Sequence, residues 1–219
     1  MQQVSGHRGR VAAVAGVVLA LVLLAGCGGA STAAPAPVPA SASPTPAAQA
    51  PVDGRTLAVQ AVAPLAKSTP TRVQVPDIGV DSTLVALGLN PDHTVEVPPL
   101  NRSEQAGYYK FGPTPGAEGP AVVLGHIDGG GKKGVFYRLQ EMTTGQKIEV
   151  TRADGRTATF TVTRVQRVDK DSFPTDEVYG TTSDAELRLI SCGGALDRRA
   201  HSYLDNIIVF ATLTGSSQA

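Results

Sequence analysis

Apolar and polar positions alternate through most of the second half of the chain. Arg72–Val75, Thr157–Val168 and Leu187–Cys192 follow this pattern, with the period of a half-buried strand, and Thr83–Leu87, Gln146–Arg152 and Asn206–Leu213 also read as strands. Thr94–Val97 and Ala106–Lys110 read as shorter strands. Pro120–Leu124 is continuously apolar, as in a strand covered on both faces, and Gly125-His126 follows it. Asp77–Asp81, Asn90–His93, Phe111–Gly116 and Asp154-Gly155 carry turn residues. Val135–Leu139 predicts a helical turn or a short strand, and Phe173–Gly180 an irregular stretch. About eight strands with few helices, at short turn spacing, predict an all-β barrel or sandwich.

Upstream the pattern changes. Val11–Leu24 is an unbroken apolar run of 14 residues behind Arg8 and Arg10. That is short of the roughly 20 residues a membrane span needs and suits the apolar region of an export signal. The run ends in Leu24-Ala25-Gly26-Cys27, which resembles a bacterial lipoprotein signal whose cysteine is lipidated. A signal anchor, or an ordinary secretory signal with a chance cysteine, is the alternative. Residues 28–69 are mostly Ala, Pro, Ser, Thr and Val. They bury too little area to order themselves and predict a disordered tether, although the more apolar Val59–Leu65 suits an extension packed on the domain. The expected organisation is a signal over 1–27, a tether over 28–69, a folded domain over 70–215 and a tail over 216–219. The export signal predicts a protein on the extracellular face of the membrane, held there by lipid or by a helix.

Net charge is zero, from 19 basic and 19 acidic residues among 219. This gives no support to nucleic-acid binding. One cysteine, Cys192, lies outside the leader, so it has no intrachain disulfide partner once Cys27 is lipidated. An unpaired thiol in an exported chain is a candidate nucleophile when a histidine is near; otherwise it is a small buried hydrophobe. Cys192 and His126 each close an apolar strand and each is followed by glycines, which are expected to end the strand and open space for an extended substrate. A histidine beside the thiol favours the thiolate and can protonate a leaving amine. One thiol and scattered histidines do not make a metal site, no acidic cluster suggests calcium, and no cofactor is expected.

With these residues in view, the chain resembles the sortases, cysteine transpeptidases of Gram-positive surfaces. The resemblance is carried by Val75-Pro76-Asp77-Ile78-Gly79-Val80-Asp81, Leu124-Gly125-His126-Ile127-Asp128 and Leu189-Ile190-Ser191-Cys192-Gly193-Gly194. Val135–Leu139 and Tyr203–Ala211 add to it, and so does the gap of about 65 residues between histidine and cysteine. The Cys-Gly-Gly form behind an Ala/Pro-rich tether looks most like the class F sortases of actinobacteria. The resemblance implies an eight-stranded sortase β-barrel. It also implies cleavage of a Leu-Pro-x-Thr-Gly-like sorting signal between Thr and Gly. Cys192 would form a thioacyl-enzyme, and His126 would serve as general acid and base. The acyl group would pass to a peptidoglycan or pilin amine.

The family's catalytic arginine usually stands at the start of the last strand. Here that stretch reads Ser202-Tyr203-Leu204-Asp205-Asn206. Arg198 is the first substitute, by its resemblance to class F sequences, and Arg199 the second. Asn206 is a further donor near the site. Asp128 either orients His126 or caps the glycine loop, and His201 is expected to be exposed. Two alternatives accompany the transpeptidase: a thiol hydrolase acting on the same motif, and a non-catalytic peptide-binding surface module.

Overall fold

The computed structural model describes residues 56–218. The expected signal, Cys27 and the first part of the tether lie outside them. Ten strands and one short helix follow in order: β1 (Pro70–Val75), β2 (Val80–Leu87), β3 (Ala106–Tyr109), β4 (Gly119–Leu124), β5 (Asp128–Gly129), β6 (Lys132–Lys133), β7 (Lys147–Arg152), β8 (Arg156–Asp169), α1 (Thr175–Tyr179), β9 (Ala185–Asp197) and β10 (Ser202–Gln218). Eight of the strands close a barrel in the order β1-β2-β3-β4-β9-β10-β8-β7, and β5 and β6 form a separate two-stranded ribbon. Closure leaves no unpaired edge for another chain to add to. The expected eight-stranded all-β barrel is the observed fold.

The alternating residues fill the barrel. Val73, Val75, Val123, Ile148, Val150, Phe160, Val162, Leu187, Leu189, Ile207 and Val209 belong to one buried cluster. Each fully buried side chain of this size contributes about 1.5–3 kcal/mol. The intervening residues of β4, β9 and β10 form a second cluster on the outer face: Val122, Ile190, Ile208 and Phe210, joined by Val178 of α1. These three strands are therefore covered on both sides, which explains the unbroken apolar runs Pro120–Leu124 of β4 and Ile207–Ala211 of β10.

Several boundaries differ from the sequence expectation. Thr94–Val97 makes a single bridge, Leu89 with Val95, instead of a strand. The Glu96 carboxylate accepts from the Gly88 amide at 2.6 Å, and Pro98-Pro99 supplies no amide to continue a ladder. The glycines after Cys192 do not end the strand. β9 runs on to Asp197, with the register against β10 slipping between Tyr203 and Asp205. Gly194 takes φ +76 at this irregularity, and a side chain on Gly193 would meet Ile207 Cγ1 at 2.6 Å. The glycines thus permit a bend with the partner strand close by. At the C-terminus, Ser216, Ser217 and Gln218 pair with Ala158, Thr157 and Arg156, so the strand continues through the expected tail. Backbone pairing needs no apolar side chain, and the polar sequence conceals it.

The folded unit also begins before residue 70. The amides of Leu57, Val62 and Leu65 donate to the carbonyls of Thr163, Leu213 and Gly116 at 2.7, 3.1 and 2.7 Å. Arg152, only 2% exposed, donates to the carbonyls of Ala66 and Pro115 and pairs with Asp154. One buried guanidinium thereby fastens the N-terminal extension to the barrel. The packed extension expected over Val59–Leu65 is observed, with Leu65 against the core, and order reaches beyond it through the Leu57 amide and the Ala66 carbonyl.

Candidate active site

β4 and β9 are parallel neighbours, with Leu124 opposite Ile190. The pairing persists one step further, since Gly125 N donates to Ile190 O at 3.1 Å. His126 is two residues past Leu124, and Cys192 is two residues past Ile190. Equal steps along adjacent parallel strands, about 5 Å apart, carry both residues off the same end of the β4–β9 ladder. Cys192, an even step along β9, shares the face of Ile190, which belongs to the outer cluster.

Each member of the pair is held from behind. Cys192 is a free thiol of intermediate burial, opposite Asn206 of β10. His126 is part-buried, with Nε2 2.5 Å from the carbonyl oxygen of buried Pro98. When Nε2–H donates to this carbonyl, Nδ1 is the ring nitrogen left to exchange a proton. The backbone carbonyl of His126 accepts from Phe136 N at 2.9 Å. Gly134 lies so close to this carbonyl that a side chain there has no room. The histidine loop is thus packed on both sides.

The side chain of Asp128 carries a bond of its own, to a residue of β10. Pro98 supplies the contact to His126, and Asp128, which is exposed, accepts a hydrogen bond from the Tyr203 hydroxyl. The Asp128 backbone pairs with Lys133 in the β5–β6 ribbon, so the residue does shape the glycine loop. Tyr203 was not singled out by sequence as a site residue. Its hydroxyl is pushed up to about 12, first by the hydrogen bond to Asp128, then by burial and by the charges of Asp128, Cys192 and Tyr137. No sequence signal links positions 128 and 203, which meet only through the fold.

The arginine candidates separate from the pair. Residues 198–201 form the turn between β9 and β10, with Asp197 opposite Ser202 at its base. Arg198 is six residues beyond Cys192, which is roughly 15–20 Å along strand of ordinary rise. Arg198, Arg199 and His201 are all exposed there. The Asp197 carboxylate accepts from the amides of Arg199 and Ala200, at 2.8 and 3.2 Å, and so shapes the turn. Arg167 of β8, in register with Ile207, is paired with Asp205, and its Nη2 lies 2.8 Å from where a side chain on Gly194 would begin. The polar side chain directly across from Cys192 is Asn206.

Among the described residues, no three His, Cys, Asp or Glu side chains gather in a metal-binding cluster. No helix among them is long and apolar enough to cross a membrane.

Comparison with known proteins bears on this arrangement. A family profile described as Sortase domain matches residues 73–214. Among solved structures, the chain is similar to Listeria monocytogenes sortase A, at 18% identity and TM-score 0.53, over 70% of this chain and 92% of that one. It is also similar to Streptococcus agalactiae sortase C1, at 18% identity and TM-score 0.51, over 66% and 67% of the two chains. Sortase C-1 from Actinomyces oris matches at 17% identity and TM-score 0.52, over 66% and 73%. Comparison with curated proteins found no match.

Proposed function

The chain belongs to the sortase family, and from that membership we propose that it cleaves a Leu-Pro-x-Thr-Gly-like sorting signal and transfers the acyl part to a cell-surface amine. Sortases are cysteine transpeptidases of the cell surface, and the anchor is expected from the leader, through lipid on Cys27 or an apolar helix. The observation that supports the reading is the parallel register of β4 and β9, from whose common end the chain runs on to His126 and to Cys192.

The proposed chemistry follows from that pair. The Cys192 thiolate attacks the Thr carbonyl carbon, and the electron pair of the C=O bond moves onto oxygen. Collapse of this oxyanion breaks the C–N bond, and His126 gives its proton to the departing glycine amine. A thioester remains on Cys192. An incoming peptidoglycan or pilin amine attacks the thioester, His126 accepts its proton, and the thiolate leaves. Asn206, opposite Cys192, is the better-supported donor to the substrate carbonyl in the place where the family carries arginine. Arg198 and Arg199, at the exposed turn, are less well placed. A fixed amide donor is effective because it is oriented before charge develops.

The test is incubation of the protein with an internally quenched Leu-Pro-x-Thr-Gly peptide, with and without an oligoglycine amine, beside Cys192→Ala. Cysteine-dependent cleavage and an amine-linked product are expected. Cleavage with no linked product would replace the transpeptidase by the hydrolase. Cleavage by Cys192→Ala would remove Cys192 from the mechanism.

A further inference from the structure

The cleft has two walls of separate origin. One is the β9–β10 hairpin, which carries Cys192 and Asn206. The other is the segment from Gly125 to Tyr137, which carries His126 and the β5–β6 ribbon. Besides the β4–β9 ladder below the site, a side-chain bond joins the walls: the Tyr203 hydroxyl donates to the Asp128 carboxylate, across 75 positions of sequence. Asp128 is two residues from His126. Tyr203 is three residues from Asn206, beyond the slip in register that turns this end of the hairpin.

We propose that Tyr203 is a positioning residue: its hydrogen bond to Asp128 holds the wall carrying the nucleophile against the wall carrying the histidine. The proposal rests on the reading of Cys192 and His126 as the reacting pair. Three features support it. Asp128 is exposed and Tyr203 only partly buried, so the bond is not part of the hydrophobic core. The hairpin bends where Gly193 and Gly194 carry no side chain and the register slips between Tyr203 and Asp205, and the Tyr203 bond lies just beyond that bend. The hydroxyl is also a dependable donor, since a phenol keeps its proton through the neutral range and the Asp128 carboxylate accepts it.

The contact acts through the Cys192–His126 distance and therefore affects rate more than binding. The full-length protein is compared as wild type, Tyr203→Phe, Asp128→Ala, Asp128→Asn and the double variant Tyr203→Phe/Asp128→Ala. With the quenched peptide, Tyr203→Phe and Asp128→Ala should each lower kcat about tenfold, as expected for a displaced reacting group, with KM little changed. The double variant should fall no further than either single one, since all three remove the same bond. Asp128→Asn should recover most of the loss, because its amide oxygen still accepts the phenolic hydrogen. Thermal midpoints should stay within about 2 °C of wild type for a bond at the surface. Multiplying losses in the double variant, an Asp128→Asn as slow as Asp128→Ala, or an unchanged kcat in Tyr203→Phe would overturn the proposal.

Alkylation of Cys192 by iodoacetamide, followed by peptide mass spectrometry, decides the proposal without a substrate. If the wild type cleaves no peptide, the proposed reaction fails while this readout stands. Tyr203→Phe and Asp128→Ala should slow alkylation at neutral pH by a common factor, because a retreating His126 favours the thiolate less. Faster or unchanged alkylation would overturn the proposal, since it would mean the contact only covers the thiol or does nothing.

Discussion

The two faces of β9 make opposite use of neighbouring residues. Leu187 and Leu189 point into the barrel and are 0% exposed, surrounded by strands on every side. Arg188, Ile190 and Cys192 point outward, and their surroundings change along the strand. Arg188 lies over the Phe210 ring at 4.6 Å and pairs with Glu186. Burial pulls its guanidinium below the usual range, with Glu186 opposing. Ile190 packs in the outer cluster with Val178 of α1. Cys192 lies past that cluster, next to the histidine loop and partly accessible. The inner face stabilises the barrel, and the outer face grades from packing to chemistry within five residues. Substitution on the two faces should therefore produce separable defects.

The largest separable effect is expected outside. Asn206→Ala should lower kcat about 100-fold, the scale for losing one oriented carbonyl donor, with the thermal midpoint retained. A rate within a factor of three of wild type would show that Asn206 is not the donor. Leu189→Ala, three residues before Cys192 but inside the barrel, should cost about 2–5 kcal/mol of stability. Urea unfolding would measure that loss. The fraction still folded at low temperature should keep its kcat, and a parallel loss of both would mean that the faces are coupled. The smallest effect is expected at the turn. Arg198→Ala/Arg199→Ala should change kcat less than about threefold, since exposed charges contribute little. A fall as deep as that of Asn206→Ala would return the arginine to the mechanism.

The parts legible in sequence were those that depend on local pattern. Alternation in Leu187–Cys192 announced a strand, and the apolar run before His126 announced one covered on both faces. What joins those elements was not local. The parallel pairing of β4 with β9 brings the stretches that lead to His126 and Cys192 together, and nothing in Pro120–Leu124 states which strand lies beside it. Gly193-Gly194 looked like a stop because glycine weakens a strand, yet here it permits a bend close to Ile207 and Asp205. Arg152 read as one polar position in an alternating strand, while its side chain fastens Ala66 and Pro115. Asp128 and Tyr203 met for the same reason, through closure of the barrel. The missing arginine was visible as an absence, but Asn206 as its occupant depended on the β9–β10 register.

The most direct measurement of the central claim is the intact mass of the protein quenched in acid during turnover of a Leu-Pro-x-Thr-Gly peptide without added amine. The account predicts an adduct equal to the peptide through its Thr, mapped to Cys192, released by hydroxylamine and absent from Cys192→Ala. Peptide cleavage with no adduct on Cys192, or an adduct that persists in Cys192→Ala, would contradict it.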